Sequence, residues 1–371
     1  DLRMSRGLGD VYKRQDVYNT GASLQAYALM KYLQNQGHEV KIIDYKPEYL
    51  SHHYSFSYIP NKRYDVFPIK YLYLLSKLPG RINSYLAGRK QNFDAFKKNY
   101  LKVTEHMFKS NEELKKQCPK ADVVIAGSDQ IWNPLFQNGK DKAFYLDFVA
   151  DGTKKVSYAA SMVVTKLDET QKTFVKTMLQ DFDKISVREK SATDVLKDMG
   201  ISAVAVMDPV FLLDSSIWNK LIENEDEICK QPYLFLYDFE NDSNLKQFAE
   251  RLAEKNNLKI ISFFDDKNRH VKAAGPIQFL KLIKGADYIL SNSFHATAFS
   301  VIFEKDFFVF KRKENLNSRM KELLEGIDLT DREIEPGQAI KDMPSIDYLK
   351  VNSLLDEKME QSRMFLKTSI L

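Results

Sequence analysis

The chain has 371 residues, of which 44% are apolar and 29% are charged, and its formal net charge is +4. This composition is that of an ordinary globular protein with roughly two domains. A net charge so close to zero gives no strong case for nucleic acid as a partner, although basic patches could still bind an anionic substrate.

Only two cysteines occur, Cys118 and Cys229, and no Cys/His cluster surrounds either of them. We therefore expect neither a zinc site nor a disulfide, and a reducing cytoplasm is the expected setting. No apolar run in the sequence reaches the length of a membrane span, and no signal peptide is recognisable.

The first fifteen residues, DLRMSRGLGDVYKRQ, show neither helical nor strand periodicity. We interpret residues 1–15 as a non-native or disordered start and expect them to add nothing to the fold. The strand that should precede Asn19 is then missing or replaced.

From Asn19 onward, strands and helices alternate. Leu24, Tyr27 and Leu33 share one face of a predicted helix, and the apolar run VKIIDY follows as a buried strand. The same alternation recurs to the C-terminal end, which favours α/β architecture with parallel, doubly wound sheets. We expect an N-terminal Rossmann-like domain over 16–213, a second over 214–342 and a helical segment over 343–371.

Two aromatic, basic helices are predicted near 67–78 and 81–100, after a loop over 48–66. Such helices could form a face for the acceptor or for a membrane surface. We favour the simpler interpretation, a solvated helix with an apolar stripe toward the core.

Seven segments in order resemble the polysaccharide pyruvyl transferase family: NTGASLQAYAL, AGSDQIWNP, VSYAAS, ISVREK, MDPVFLL, SNSFHATAFSVIF and NSRMKELLEGIDLTDR. The resemblance implies a glycosyltransferase-B-like fold, with a cleft between two Rossmann-like domains and residues 343–371 packing back toward the first. It also implies phosphoenolpyruvate as donor and a glycan or lipid-linked sugar as acceptor. The family's first strand is not recognisable here.

His295 is the principal catalytic candidate. The sequence DYILSNSFHATAF places it where a strand ends and a helix begins, together with Asn292 and Ser293. Ligands bind at such strand ends, and a helix start attracts phosphate. An imidazole there could transfer a proton near neutral pH. The alternative is a histidine that only caps or packs the turn.

Arg188 and Arg319 are the candidates for holding the donor. Arg188 lies at the end of the predicted strand ISVRE, and a guanidinium can bind a carboxylate or a phosphate with two hydrogen bonds. The alternative for Arg188 is an ion pair with Glu189 or another acid. Arg319 could reach the donor or could pair with Glu322 or Glu314, and we rank it below Arg188.

The segment AGSDQIWNP supplies the candidates Ser128, Asp129 and Trp132, because it follows an apolar strand. Trp132 could offer a flat face to a sugar ring. Equally, Asp129 could cap a turn and Trp132 could fill the core, and both interpretations stay open.

Asn19, Gly21 and Gln25 lie at the start of the first long helix and could line the same cleft. Ordinary N-capping by Asn19 is the alternative. No GxGxxG sequence occurs, so no dinucleotide cofactor is expected. No metal-ligand spacing is visible either, so we expect no metal site, and a loosely held Mg²⁺ is the alternative that stays open.

The resemblance, together with these candidate residues, implies a transferase that moves the enolpyruvyl group of phosphoenolpyruvate onto hydroxyls of a glycan or glycan precursor to form a pyruvate ketal. Two other functions remain open. A nucleotide-sugar-dependent glycosyltransferase would bind a nucleoside diphosphate, and a non-catalytic glycan-binding relative would bind sugar without turnover. The acceptor could also bring the protein to a membrane surface.

Overall fold

The computed structural model describes residues 2–5, 19–51, 66–68, 70–76, 88–264, 268–312, 318–335 and 344–370. Within these ranges the strands fall into two five-stranded sheets and one two-stranded sheet, all of them parallel. This is the α/β class with two Rossmann-like sheets that the alternation of elements predicts.

The strands of the first half are β1 Leu2–Ser5, β2 Val40–Tyr45, β3 Val103–Phe108, β4 Val123–Ala126, β5 Lys154–Ser157, β6 Ser186–Val187 and β7 Val204–Ala205. Those of the second half are β8 Tyr233–Tyr237, β9 Lys259–Ser262, β10 Tyr288–Ser291, β11 Asp306–Phe310 and β12 Glu333–Ile334. The sheet orders are β3-β2-β1-β4-β5, β12-β11-β10-β8-β9 and β6-β7.

The helices up to residue 198 are α1 Thr20–Asn35, α2 Glu48–Ser51, α3 Arg89–Tyr100, α4 Asn111–Gln117, α5 Glu169–Leu179 and α6 Lys190–Asp198. The later helices are α7 Ser215–Ile222, α8 Ser243–Asn256, α9 Arg269–Lys272, α10 Pro276–Gly285, α11 Phe294–Ile302, α12 Ser318–Gly326 and α13 Tyr348–Ile370. Residues 70–76 are also helical, and short 3₁₀ helices include Pro209–Leu212. Among the described helices, none combines the length and apolar character needed to cross a bilayer.

The first strand corrects the interpretation of the N-terminal residues. β1 lies in the middle of the first sheet, where Leu2 pairs with both Val40 and Val123. Residues 2–5 therefore contribute to the fold, contrary to the expectation for residues 1–15. A four-residue strand is too short to show a periodicity in sequence, and its pairing depends on backbone groups alone. Residues 6–15 lie outside the described residues.

Aromatic packing joins the two halves. The indole of Trp218 on α7 is buried, with its centroid 5.6 Å from the Tyr27 ring of α1 and 5.0 Å from the Phe299 ring of α11. A buried aromatic side chain of this size contributes strongly to such a contact. The segment between the two sheets is therefore an anchored junction and not a free linker.

The last helix touches both halves. At the start of α13, the Tyr348 hydroxyl donates to the carbonyl of Lys305 at 2.5 Å. Further along, the Ser362 hydroxyl accepts from the Met207 amide at 2.9 Å, and the Phe365 ring lies 6.5 Å from the Tyr158 ring. α13 thus runs from the second half onto the segment that follows β7.

Candidate active site at the strand ends

The site is built where strands of both halves end. β4, β6 and β7 lead to Ser128, Arg188 and Asp208, whereas β10 leads to the start of α11 with Phe294 and His295. Polar groups at this edge of parallel sheets face the crevice where ligands bind in open α/β folds. Buried polar side chains from the two halves meet here, and these are Gln25, Ser128, Asp129, Arg188, Glu189, Asp208 and Arg319.

Asp208 is the common partner in this cluster. Its Oδ2 atom accepts a hydrogen bond from Gln25 Nε2 at 2.5 Å and lies 3.3 Å from Arg188 Nη1 and 3.7 Å from His295 Nε2. Its Oδ1 atom accepts from the Val210 amide at 3.1 Å. Burial would raise the pKa of Asp208, but the Arg188 guanidinium and His295 hold that pKa well below its usual range. Asp208 is therefore a carboxylate that orients a guanidinium and an imidazole.

Arg188 is buried but has hydrogen-bonding capacity left. Its Nη2 atom donates to Ser128 Oγ at 2.8 Å. Among the described residues, neither its Nε nor its Nη1 atom has a hydrogen-bond acceptor. A buried N–H group without an acceptor is costly, so a ligand that supplies one is favoured. The carboxylate or phosphate oxygens of an anion would fit these donors.

Phe294 brings a second guanidinium beside the first. The central guanidinium carbon lies 5.5 Å from the Phe294 ring centroid for Arg188 and 5.7 Å for Arg319. These are cation–π distances, and Arg319 also contacts Asp129 Oδ1 at 3.9 Å and Glu189 Oε1 at 3.8 Å. One ring of the second half therefore holds cations contributed by both halves.

Glu189 lies beneath Arg319 and is fully buried. The Ser161 hydroxyl donates to its Oε1 atom. Burial raises the pKa of Glu189 above its usual range, against the opposing effect of Arg319 and Arg188. Glu189 occupies the N-cap position of α6, but its side chain points inward and makes no capping hydrogen bond. Glu322 of α12 accepts from the Lys190 amide at 2.7 Å instead, so the two halves are also joined at this helix start.

Gly21 lies directly against His295. A Cβ atom at residue 21 would be 2.1 Å from His295 Nδ1, far inside any contact distance. Only glycine therefore leaves room for the imidazole at this place. The start of α1 is thus fitted to the start of α11 across the two sheets.

The turn after β4 requires glycine at residue 127, because of its backbone conformation as well as for lack of space. Gly127 has φ of 132° and precedes a cis peptide bond to Ser128, and a Cβ atom on it would lie 2.1 Å from the Tyr158 carbonyl oxygen. Asp129 follows with φ of 76°. This backbone path places the Ser128 hydroxyl on Arg188 and the Asp129 carboxylate near Arg319.

The structure thus brings seven of the candidate residues to one cluster, and they are Gly21, Gln25, Ser128, Asp129, Arg188, His295 and Arg319. The signal that identified them is their position at a strand end or a helix start. Within the described ranges, no group of three or more His, Cys, Asp or Glu side chains is arranged to hold a metal ion.

Trp132 is not part of the cluster. Its indole is fully buried, stacks on Tyr145 with ring centroids 5.6 Å apart, and donates from Nε1 to the Phe144 carbonyl at 3.0 Å. The proposed cleft role for Trp132 is therefore corrected to a core role, since no face of the ring is open to a sugar.

Of the three further candidates, Asn292 and Asn19 have local hydrogen-bond partners. The side-chain amide of Asn292 donates from Nδ2 to Asp238 Oδ1 at 2.7 Å, and Asn292 Oδ1 accepts from the Phe239 backbone amide at 2.9 Å. Asn292 therefore stabilises the loop after β8. Ser293 is the N-cap residue of α11, but its side chain makes no capping hydrogen bond. Asn19 caps α1 by accepting from the Ala22 amide at 3.1 Å. Asn292 and Asn19 thus have local partners that account for their presence.

Asp208 and Phe294 were missed as site residues, although both lie inside segments that carry the family resemblance. Asp208 precedes a proline after a short strand, a position where Asp commonly starts a turn. Phe294 looks like an ordinary apolar helix residue. Neither sequence position reveals that its side chain meets Arg188.

Two α/β sheets thus bring two buried guanidinium groups and a histidine together at their strand ends. The chain belongs to the polysaccharide pyruvyl transferase family, whose model matches residues 19–314. The resemblance to this family is thereby confirmed over residues 19–314, whereas the segment NSRMKELLEGIDLTDR lies beyond the matched residues.

Solved structures with similar architecture are only distantly similar in sequence. UGT89C1 of Arabidopsis thaliana is 10% identical with a TM-score of 0.47, and the match covers 100% of this chain and 99% of that one. UDP-GlcNAc 2-epimerase of Neisseria meningitidis, solved with UDP-GlcNAc, is 10% identical with a TM-score of 0.44, over 99% and 93%. The E. coli heptosyltransferase WaaC, solved with ADP-2-deoxy-2-fluoro heptose, is 12% identical with a TM-score of 0.37, over 97% and 99%. No curated protein matches the chain.

Proposed function

We propose that this protein transfers the pyruvyl group of phosphoenolpyruvate onto two hydroxyls of a glycan or glycan precursor and so forms a cyclic ketal. The observation that carries the proposal is the pairing of Arg188, with its unsatisfied buried N–H donors, and His295 on the single carboxylate of Asp208. An anion-binding guanidinium and a proton-donating imidazole would thereby act side by side.

The donor would be bound through its two anionic groups. The carboxylate of phosphoenolpyruvate would take hydrogen bonds from Arg188, and Arg319 would add positive charge on the other side of Phe294. The phosphate would lie at the first turn of α11, where amide groups and the helix dipole favour negative charge. Membership of the family supports this choice of donor.

His295 would act as the general acid. In its protonated form it gives a proton to the methylene carbon of phosphoenolpyruvate, which leaves positive character on the carbon that bears the phosphate. The first acceptor hydroxyl attacks that carbon and loses its proton. The second hydroxyl then displaces phosphate, with loss of another proton, and closes the ketal. The products are the glycan ketal and inorganic phosphate.

Asp208 would position the imidazole during this sequence. Its negative charge lies 3.7 Å from His295 Nε2, and its own hydrogen bond to Gln25 fixes the carboxylate. Gly21 prevents a side chain from entering the space next to Nδ1. Catalysis would then depend on positioning, proton transfer and charge stabilisation by this chain's own residues.

Ligand-dependent thermal unfolding tests the donor directly. Phosphoenolpyruvate should raise the melting temperature of the wild-type protein, because a ligand that binds only the folded state stabilises it. UDP-sugars at the same concentration should not. Stabilisation by a nucleotide sugar with no response to phosphoenolpyruvate would favour a glycosyltransferase instead.

A further inference from the structure

Two serines interrupt the apolar packing face of the last helix, and they differ in their partners. The apolar residues that α13 buries are Val351, Met359, Phe365 and Leu366. Among the described residues, Ser369 Oγ has no hydrogen-bond partner. The fully buried hydroxyl of Ser362, in contrast, donates to the Lys358 carbonyl at 3.0 Å and accepts from the Met207 amide at 2.9 Å. Ser362 therefore binds the residue directly before Asp208.

Side chains hold the backbone of Met207 on both sides. Its amide donates to Ser362, and its carbonyl accepts from the Tyr158 hydroxyl at 3.1 Å. Asp208 comes next, followed by Pro209, whose ring restricts φ and which has no N–H group. The backbone at Asp208 is thus confined from both directions. The place where Met207 is held therefore determines where the Asp208 carboxylate lies.

The same helix is also fixed to the histidine side of the site. Near the start of α13, the Tyr348 hydroxyl lies 3.3 Å from the Ser300 carbonyl oxygen, in the last turn of α11. His295 stands in the first turn of that helix. A path of hydrogen bonds and helices thus runs from His295 along α11 and α13 to Ser362 and on to Asp208. The 3.7 Å distance between Asp208 Oδ2 and His295 Nε2 closes this path.

We infer that Ser362 is a positioning residue of the site, which fixes the Asp208 carboxylate against His295 through the Met207 amide. A serine that only secured the helix would gain nothing over an apolar residue, because Phe365 packs on the same face and a buried hydroxyl is costly unless it is hydrogen-bonded. The effect of Ser362 on turnover rests on the proposed function. The coupling between Ser362 and Asp208 does not.

A double-mutant cycle on thermal unfolding tests this coupling without any turnover. The proteins are the wild type, Ser362→Ala, Asp208→Asn and the double variant. The change in melting temperature of the double variant should differ from the sum of the single changes by roughly 1 °C or more, because both residues act in one network. In the matched cycle, Ser369→Ala replaces Ser362→Ala, and the changes should add. Additive changes in both cycles would overturn the inference.

Kinetics test the consequence for the site. Ser362→Ala should lower kcat roughly tenfold, because a small displacement of the carboxylate misplaces the imidazole. The dissociation constant of phosphoenolpyruvate should stay within about twofold, since Arg188 keeps its N–H donors. Ser369→Ala should keep the kcat of the wild type. Wild-type kcat in Ser362→Ala would overturn the inference. A wild type that does not respond to phosphoenolpyruvate would refute the proposed function instead, and the thermal cycle would still decide the positioning role.

Tyr158→Phe tests the same backbone from its other side, and it replaces Ser362→Ala if that variant does not fold. The change frees the Met207 carbonyl, so the variant should lose turnover and should couple to Asp208→Asn in melting temperature in the same way. Its control is Tyr233→Phe, because the buried Tyr233 hydroxyl donates to the Leu282 carbonyl at 2.7 Å at the opposite end of β8 from the site. Additive melting temperatures for Tyr158→Phe would contradict the inference.

Discussion

Gly21 and His295 are in contact across the two halves of the molecule, with no room for a single methyl group between them. The contact joins the start of α1 to the start of α11. A glycine with an ordinary φ is needed here for space alone, and it fixes where the imidazole can lie. The geometry of the proposed acid therefore depends on a residue of the other half.

Gly21→Ala should reduce turnover while leaving the fold intact. The new methyl group would push the imidazole away from Asp208, and a displacement of about 1 Å can cost roughly 10²-fold in rate. Steady-state kinetics with phosphoenolpyruvate should show the loss in kcat. Gly326→Ala is the matched control, since its Cβ would meet only the flexible end of Lys358. Equal activity of the two variants would contradict the close fit.

Arg188→Lys should not restore what Arg188→Ala loses. Lysine keeps the charge but lacks the planar fork that spans a carboxylate. Affinity for phosphoenolpyruvate should fall roughly 10–100-fold in both variants, as expected for the loss of charge-assisted hydrogen bonds. Calorimetric titration of each variant with phosphoenolpyruvate measures this affinity.

The control for that series is Arg332→Lys. Arg332 is also buried, lies 5.7 Å from the Phe308 ring centroid and contacts Asp306 at 3.8 Å, but it is not part of the cluster around Asp208. Its replacement should leave donor affinity unchanged in the folded protein. If Arg188→Ala binds phosphoenolpyruvate as tightly as the wild type, Arg188 has no part in donor binding.

Asp208→Asn should separate binding from chemistry. The variant removes the negative charge beside Arg188 and His295, so phosphoenolpyruvate should bind as well as before or more tightly. Turnover should nevertheless fall roughly 10²-fold or more, because the imidazole loses the carboxylate that orients it. Measuring kcat and the dissociation constant of phosphoenolpyruvate together separates an effect on turnover from an effect on donor binding. A variant that loses affinity and keeps kcat would show that Asp208 acts on the donor and not on His295.

The sequence was informative about residues whose position alone implies a role. Arg188 and His295 both stand at a strand-to-helix junction, and chain order places such junctions on one edge of a parallel sheet. The sequence could not say which way a side chain turns, so Trp132 looked available although it packs on Tyr145. Asp208 was hidden because a turn-forming Asp-Pro pair has an ordinary explanation.

Glu189→Gln should change how stability depends on pH. The pKa of Glu189 is raised in the folded protein, so the folded state retains a proton that the unfolded state releases. The stability from this group is present below the unfolded pKa and is lost as pH rises through the folded pKa. Glutamine does not titrate, so residue 189 of the variant adds no pH dependence to the stability. The melting temperature of the variant relative to the wild type should therefore rise with pH above the usual range of a glutamate.

That comparison needs melting curves of both proteins across the acidic and neutral range. A difference in melting temperature that stays constant with pH would mean that Glu189 is ionised equally in the folded and unfolded states. The carboxylate would then be fully compensated by Arg319 and Ser161.

His295→Asn bears most directly on the central claim, that His295 supplies the proton in pyruvyl transfer. Asparagine keeps some hydrogen bonding but cannot titrate, so turnover should fall roughly 10²–10⁴-fold, with a smaller loss of donor binding because Arg188 remains. The measurement is phosphoenolpyruvate-dependent phosphate release with a glycan acceptor, together with recovery of the pyruvylated product. We predict matched phosphate and ketal from the wild type and almost none from His295→Asn. Near-normal release by the variant would contradict the account and leave His295 as a residue that packs the turn.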